Sequence, residues 1–86
     1  MSVYVCRAAI RENGEVYSLP RPSRHADIIR HLLVDKAITA PITGKQGFLL
    51  SNGEFADRIE AAHVALQSRQ IERLNSPPSL HSEDLW

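Results

Sequence analysis

Apolar and polar residues alternate with two different periods along this chain, and each period predicts a different element. Val3 to Ile10 reads Val-Tyr-Val-Cys-Arg-Ala-Ala-Ile, a run rich in strand formers, and Val16-Tyr17-Ser18-Leu19 is a second such run. Between them lies Glu12-Asn13-Gly14-Glu15. Asn-Gly suits a type I′ turn, whose two central residues need positive φ, so the segment predicts a β-hairpin. Pro20 and Pro22 end the second strand, since neither can donate to a ladder.

From Arg24 to about Ala37 the period becomes helical. Ile28, Ile29, Leu32, Leu33 and Lys36/Ala37 form one face, and Asp27, Arg30, His31 and Asp35 form the other. Ser23 is the expected N-cap. Thr39-Ala40-Pro41-Ile42-Thr43-Gly44 breaks the helix, with a short extended piece expected from Ile38 to Ile42. Gly47-Phe48-Leu49-Leu50-Ser51 predicts a short strand, and Ser51-Asn52-Gly53-Glu54 a turn. Phe55, Ile59, Ala62 and Leu66 then share one face of a second helix running from Phe55 to near Ser68. Its first turns carry Glu54, Asp57 and Glu60, the charge that the helix dipole favours there. Ile71 to Leu74 is read as one more short strand or a turn.

The tail is residues 75–86. Pro77-Pro78 suggests a stiff extended spacer, and the apolar Leu85-Trp86 pair is expected to dock on its own domain or on a neighbouring subunit. The pattern therefore predicts a small α+β domain spanning 1–86, with a core over 1–74 and the tail over 75–86. Its parts are an N-terminal β-hairpin, two amphipathic helices and a short strand.

Composition narrows the functional classes. A chain of 86 residues, 43% hydrophobic and 23% charged, is globular and too short for a multidomain enzyme or a large cofactor-binding fold. Ten basic residues balance ten acidic ones, which argues against bulk electrostatic binding to nucleic acid or to a membrane. Charge type says more. Eight of the ten basic residues are Arg, the side chain suited to planar, bidentate recognition of phosphate or carboxylate. One Cys, with no long apolar run and no leader pattern, fits a reducing cytoplasm.

Candidate chemistry follows from residue type and spacing. His25, His31, His63 and His81 offer no i, i+4 pair, and Cys6 has no nearby partner, so neither a metal nor a cofactor is expected. Cys6 sits mid-strand as a packed small hydrophobe, and the nucleophile-elbow pattern of Gly-x-Ser-x-Gly is missing. Catalysis is thus disfavoured against binding. His63 is expected at the edge of the core, and Tyr4 and Tyr17 as cross-strand neighbours.

Anion recognition is the stronger signal. Arg21-Pro22-Ser23-Arg24-His25 puts two arginines and a histidine at a helix N-terminus, where free N–H groups and the dipole already favour an anion. Thr43-Gly44-Lys45-Gln46-Gly47 joins glycines, a lysine and an amide beside a strand. Ser51-Asn52-Gly53 leads towards the second helix, with Arg58 a turn inside it. Each has a plainer reading: Ser23 as a cap, the glycines as turns, and Arg58 paired with Asp57 or Glu54.

Three blocks add a resemblance. Arg24-His25-x-Asp27-Ile28-Ile29, then Gln46-Gly47-Phe48-Leu49-x-Ser51-x-Gly53-x-Phe55-x-x-Arg58-x-Glu60-Ala61, then Ser82-Glu83-Asp84-Leu85-Trp86, resemble a family of short bacteriophage proteins. The resemblance spans roughly residues 13–86 and implies a phage accessory protein acting in the host cytoplasm. Small phage proteins of this class often counter host defence, by sequestering a nucleotide signal or by binding an immune protein. Half of the shared positions are polar, which favours a binding site over mere packing.

The expected function is non-catalytic sequestration of a nucleotide-derived immune signal, such as a cyclic oligonucleotide or a cyclic ADP-ribose-like molecule. Arg24 and Arg58 would grip phosphates, and Lys45 with the Gly44/Gly47 loop would add donors. His25, Gln46 and Ser51 would read ribose or base edges, and Glu83 and Asp84 would accept from hydroxyl or amino groups. A small core leaves little room for a pocket, so the site is expected between subunits of a homo-oligomer. The alternative is a protein–protein inhibitor of a host defence complex, in the manner of an anti-CRISPR protein. A hydrolase of the same signals, with His25 as acid or base, comes third.

Overall fold

The computed structural model describes residues 3–38, 42 and 44–86. The elements run β1 (Val5–Glu12), β2 (Glu15–Ser18), α1 (His25–Val34), β3 (Lys45–Leu50), β4 (Phe55–Asp57), α2 (Arg58–Gln67) and a final 3-10 turn at Ser82–Asp84. The four strands form one antiparallel sheet in the order β2-β1-β3-β4. The chain is thus two ββα units joined edge to edge by their first strands.

Local sequence explains each hairpin. Asn13 and Gly14 have φ of 52° and 82°, the left-handed values that Asn-Gly reaches at low cost. The second Asn-Gly does the same work. Ser51 to Glu54 closes a β3–β4 hairpin, with Gly53 at φ 88° and its N–H donating to the Leu50 carbonyl. The expectation that this turn opens directly into a helix is therefore corrected. Phe55 belongs to β4, opposite Leu49, and α2 starts three residues later at Arg58. Asp57 sets that start, since its carboxylate accepts from the Ile59 and Glu60 N–H groups at 2.9 and 2.8 Å.

One face of the sheet carries the core. Ala8 and Ile10 of β1, Phe48 and Leu50 of β3 and Ala56 of β4 face Ile28 and Leu32 of α1 and Ala61, Ala62 and Ala65 of α2. Alanines let α2 lie close to the sheet, which leaves Ile59 and Leu66 exposed rather than on the buried face. Leu33 is exposed as well, and His63 sits on the outer face of α2 instead of at the core edge.

Several boundaries also differ from expectation. Arg24, not Ser23, is the N-cap of α1, because the Asp27 carboxylate reaches back to the Arg24 N–H at 2.8 Å. The helix ends at Val34, and Ala37 at φ 52° lets the Ile38 N–H return to the Leu32 carbonyl. The extended piece expected over 38–42 lies mostly outside the described residues. Ile71 to Leu74 forms only bends. Tyr17 pairs with Ile10, while Tyr4 lies beside Ser51 at the other end of the sheet. Pro77-Pro78 makes a tight turn, not a spacer, with the Ser79 N–H donating to the Ser76 carbonyl.

The tail docks on its own domain. Leu80 is fully buried, and Leu85 and Trp86 pack against the core. Gln70 helps close the N-terminal end of β1, exchanging both side-chain hydrogen bonds with the Val5 backbone at 2.6 and 2.8 Å.

Candidate functional site

Three polar fastenings hold the tail, and each uses residues from the sequence blocks. Arg24 donates through Nε to the Trp86 carbonyl at 2.8 Å, with Nη2 on the same oxygen. Trp86 returns a bond from Nε1 to the Ser23 carbonyl at 3.0 Å, and the Arg21 guanidinium lies 5.1 Å from its ring centre. Asp84 accepts from the His81 N–H at 2.9 Å and fixes the short turn that carries Glu83.

His25 makes the second fastening. It is buried, edge-on to Phe48, with Nε2 2.7 Å from the Gly47 carbonyl and Nδ1 3.3 Å from Ser82 Oγ. A carbonyl can only accept, so Nε2 carries the proton and Nδ1 accepts from the Ser82 hydroxyl. Burial holds this imidazole below its ordinary pKa; the Gly47 bond and nearby Glu83 oppose that, while Arg58 and His81 add to it.

Arg58 makes the third. Its Nη1 donates to the Leu80 carbonyl at 2.8 Å and its Nη2 to Gln46 Oε1 at 2.5 Å, while the Leu80 N–H returns to the Arg58 carbonyl at 3.0 Å. Partial burial lowers the pKa of the guanidinium and Glu83 opposes the shift. Neither Asp57 nor Glu54 is the partner of Arg58.

Beside this fork lies a shallow cleft of about 290 Å³, lined by Lys45, Gln46, Asp57, Arg58, Ile59 and Ser79. Lys45 reaches to 3.7 Å from Asp57 and keeps 62% of its side chain exposed. The Asp57 carboxylate stays well ionised, held below its ordinary pKa first by the Glu60 N–H bond and also by Ile59 N–H and Lys45. Arg58 has five N–H donors and spends two of them on the protein. The cleft thus offers a guanidinium, an ammonium, an amide and a hydroxyl against one carboxylate, a set suited to an anion with further polar groups.

The structure places the expected residues in three groups. Lys45, Gln46 and Arg58 line the cleft. Arg24 and His25 bind tail to core, Gly47 anchors His25, Asp84 closes a turn within the tail, and Glu83 acts on Arg58 and His25 through its charge. Ser51 stands apart, accepting from the Tyr4 N–H at 3.0 Å beside the second hairpin turn. Ser79, Asp57 and Ser82 were not among the expected site residues. The capping pattern Asp57-x-x-Glu60 was the available signal for the second of these.

A second groove, about 390 Å³, runs along α1 between Leu19, Asp27, Arg30, His31, Val34 and Asp35. His31 and Asp35 are paired there at 2.8 Å. Among the described residues, no three His, Cys, Asp or Glu side chains gather to hold a metal ion, and no helix is long and apolar enough to cross a membrane.

No curated protein and no solved structure matches the chain. The family model described as Phage T4 y16D protein matches residues 4–86, from the start of the sheet to the docked tryptophan, and the chain belongs to that family.

Proposed function

We propose that this phage-family protein is a non-catalytic binder that sequesters a phosphate-bearing, nucleotide-derived signal of host defence, with the Lys45–Arg58 cleft as its anion site. The observation that carries this reading is the convergence of the Arg58 fork and the Lys45 ammonium on one cleft beside Gln46 and Ser79. Arg58 is pre-set by Leu80 and Gln46, so little side-chain freedom is lost when its remaining donors meet a phosphate. Gln46 and Ser79 then contact ribose or base edges.

A cleft this shallow covers only part of a nucleotide, since enclosing ligand sites run from roughly 300 to 1,000 Å³. Ile59, 49% exposed at its rim, is the apolar surface on which a second copy of the chain would close the site. The competing reading, a protein–protein inhibitor, draws on Leu33 and Val34 of α1, which are 37% and 69% exposed. Calorimetry against cyclic dinucleotides, cyclic ADP-ribose and mononucleotides separates the two. The cleft reading expects binding by one of these, weakened at least tenfold in Lys45→Gln. No heat from any of them at high micromolar ligand overturns it, as does binding that Lys45→Gln leaves unchanged.

A further inference from the structure

Both helices and the docked tail cover the same face of the sheet, and the other face has its own chemistry. Strand register places Arg7, Ala9 and Arg11 of β1, Val16 and Ser18 of β2, Lys45, Gly47 and Leu49 of β3, and Phe55 and Asp57 of β4 on that face. Three of these are cations. The one acid among them, Asp57, is committed to Lys45 and to the cap of α2. The helical side mixes both signs, with Asp27, Glu60, Glu83 and Asp84 among Arg24, Arg30 and Arg58. Three cations against one acid leave this face with a local excess of two positive charges in a chain of zero net charge.

Two features point to a ligand. Arg11 and Lys45 are direct cross-strand partners, like charges that repel, and Asp57, 3.7 Å from Lys45, answers only the lysine. Next to them, Gly47 leaves a trough that an aromatic ring fills. A Cβ at Gly47 would stand 2.7 Å from the Phe55 ring, and the Arg11 guanidinium lies 4.7 Å from that ring's centre. Glycine, phenyl ring and guanidinium thus form a stack rising from the sheet. The outer plane of Arg11 is a stacking surface for a base, while its edge N–H groups, with Arg7 and Lys45 on either side, make three cations available to phosphates.

We infer that this face binds single-stranded nucleic acid around Arg11, at a site that borders the Lys45–Arg58 cleft and shares Lys45 with it, while Arg7, Arg11 and Phe55 belong to the face alone. A flat sheet face with one stacked guanidinium accepts unpaired bases, whereas a duplex hides its base faces. Three phosphate contacts predict a salt slope near −2, or a roughly 20-fold loss of affinity between about 50 and 200 mM salt.

The test is fluorescence anisotropy of the full chain with labelled oligo-dT and oligo-U of about twelve nucleotides. Arg11→Ala is expected to lose about tenfold in affinity and about 0.7 units of salt slope. Arg11→Lys keeps the charge and should keep the slope while losing roughly fivefold, because the stacking plane is gone. Phe55→Leu retains apolar bulk for folding, checked by its thermal melt, and should also lose roughly fivefold. Arg30→Ala, on α1, should change nothing. The inference is overturned by absence of binding at high micromolar protein, by an Arg30→Ala loss matching that of Arg11→Ala, by equal binding of a blunt duplex, or by equal displacement with polyglutamate, which would mark a site for acidic polypeptides.

Discussion

Replacing Arg58 with alanine removes the fork that joins β3, α2 and the tail. Two hydrogen bonds from a charged donor are lost, and the partly buried Leu80 carbonyl and Gln46 amide each lose a partner. Hydrogen bonds to charged groups contribute about 1.5–3 kcal/mol when intact. Discounted for the partial exposure of the guanidinium, the pair is worth about 3 kcal/mol. An 86-residue domain has a total stability of roughly 4–13 kcal/mol, so this is a large fraction. The midpoint of thermal unfolding should fall by roughly 12–24 °C. Urea unfolding followed by circular dichroism measures the loss directly, and an unchanged slope keeps the comparison two-state. Arg58→Lys separates charge from geometry, since an ammonium cannot span both acceptors; it should recover less than half of the loss. A change below about 0.5 kcal/mol in Arg58→Ala, the size expected of an ordinary surface substitution, would refute the claim that this fork fastens the tail.

Two further outcomes follow from the same packing. Because burial holds the folded-state pKa of His25 below its ordinary 6.5, the unfolded chain binds that proton more readily, so stability should fall as pH drops from 7 through 6.5. Urea midpoints between about pH 7.5 and 5 should show a shallower fall in His25→Gln, and parallel profiles would contradict the buried neutral imidazole. Gly47→Ala should destabilise by about 1–3 kcal/mol, because its Cβ would stand 2.2 Å from the Ala56 carbonyl oxygen and force β3 and β4 apart; an unchanged melting temperature would contradict that approach.

Local chemistry was legible in the sequence wherever one short signal decided the element. Asn13-Gly14 fixed the first hairpin, and Leu85-Trp86 announced a docked end. The second hairpin was hidden by coincidence. Phe55 falls in helical register with Ile59, Ala62 and Leu66, so a three-residue strand was absorbed into the helix. Asp57, capping two N–H groups, carried the boundary instead. The alanine face of α2 was also illegible, since burial there depends on how closely the helix approaches the sheet. For the candidate site, residue types pointed to Arg24, Arg58, Lys45 and Gln46, but spacing could not say which arginine is spent on the tail. That depends on where Leu80 and Trp86 come to rest, some 22 and 62 residues along the chain from their partners.

Amide chemical-shift mapping of the isotope-labelled protein, titrated with whichever nucleotide gives heat in calorimetry, tests the central claim most directly. The account predicts that the shifts concentrate at Lys45, Gln46, Asp57, Arg58, Ile59 and Ser79. Shifts confined to the outer face of α1, or scattered without regard to the cleft, would contradict it.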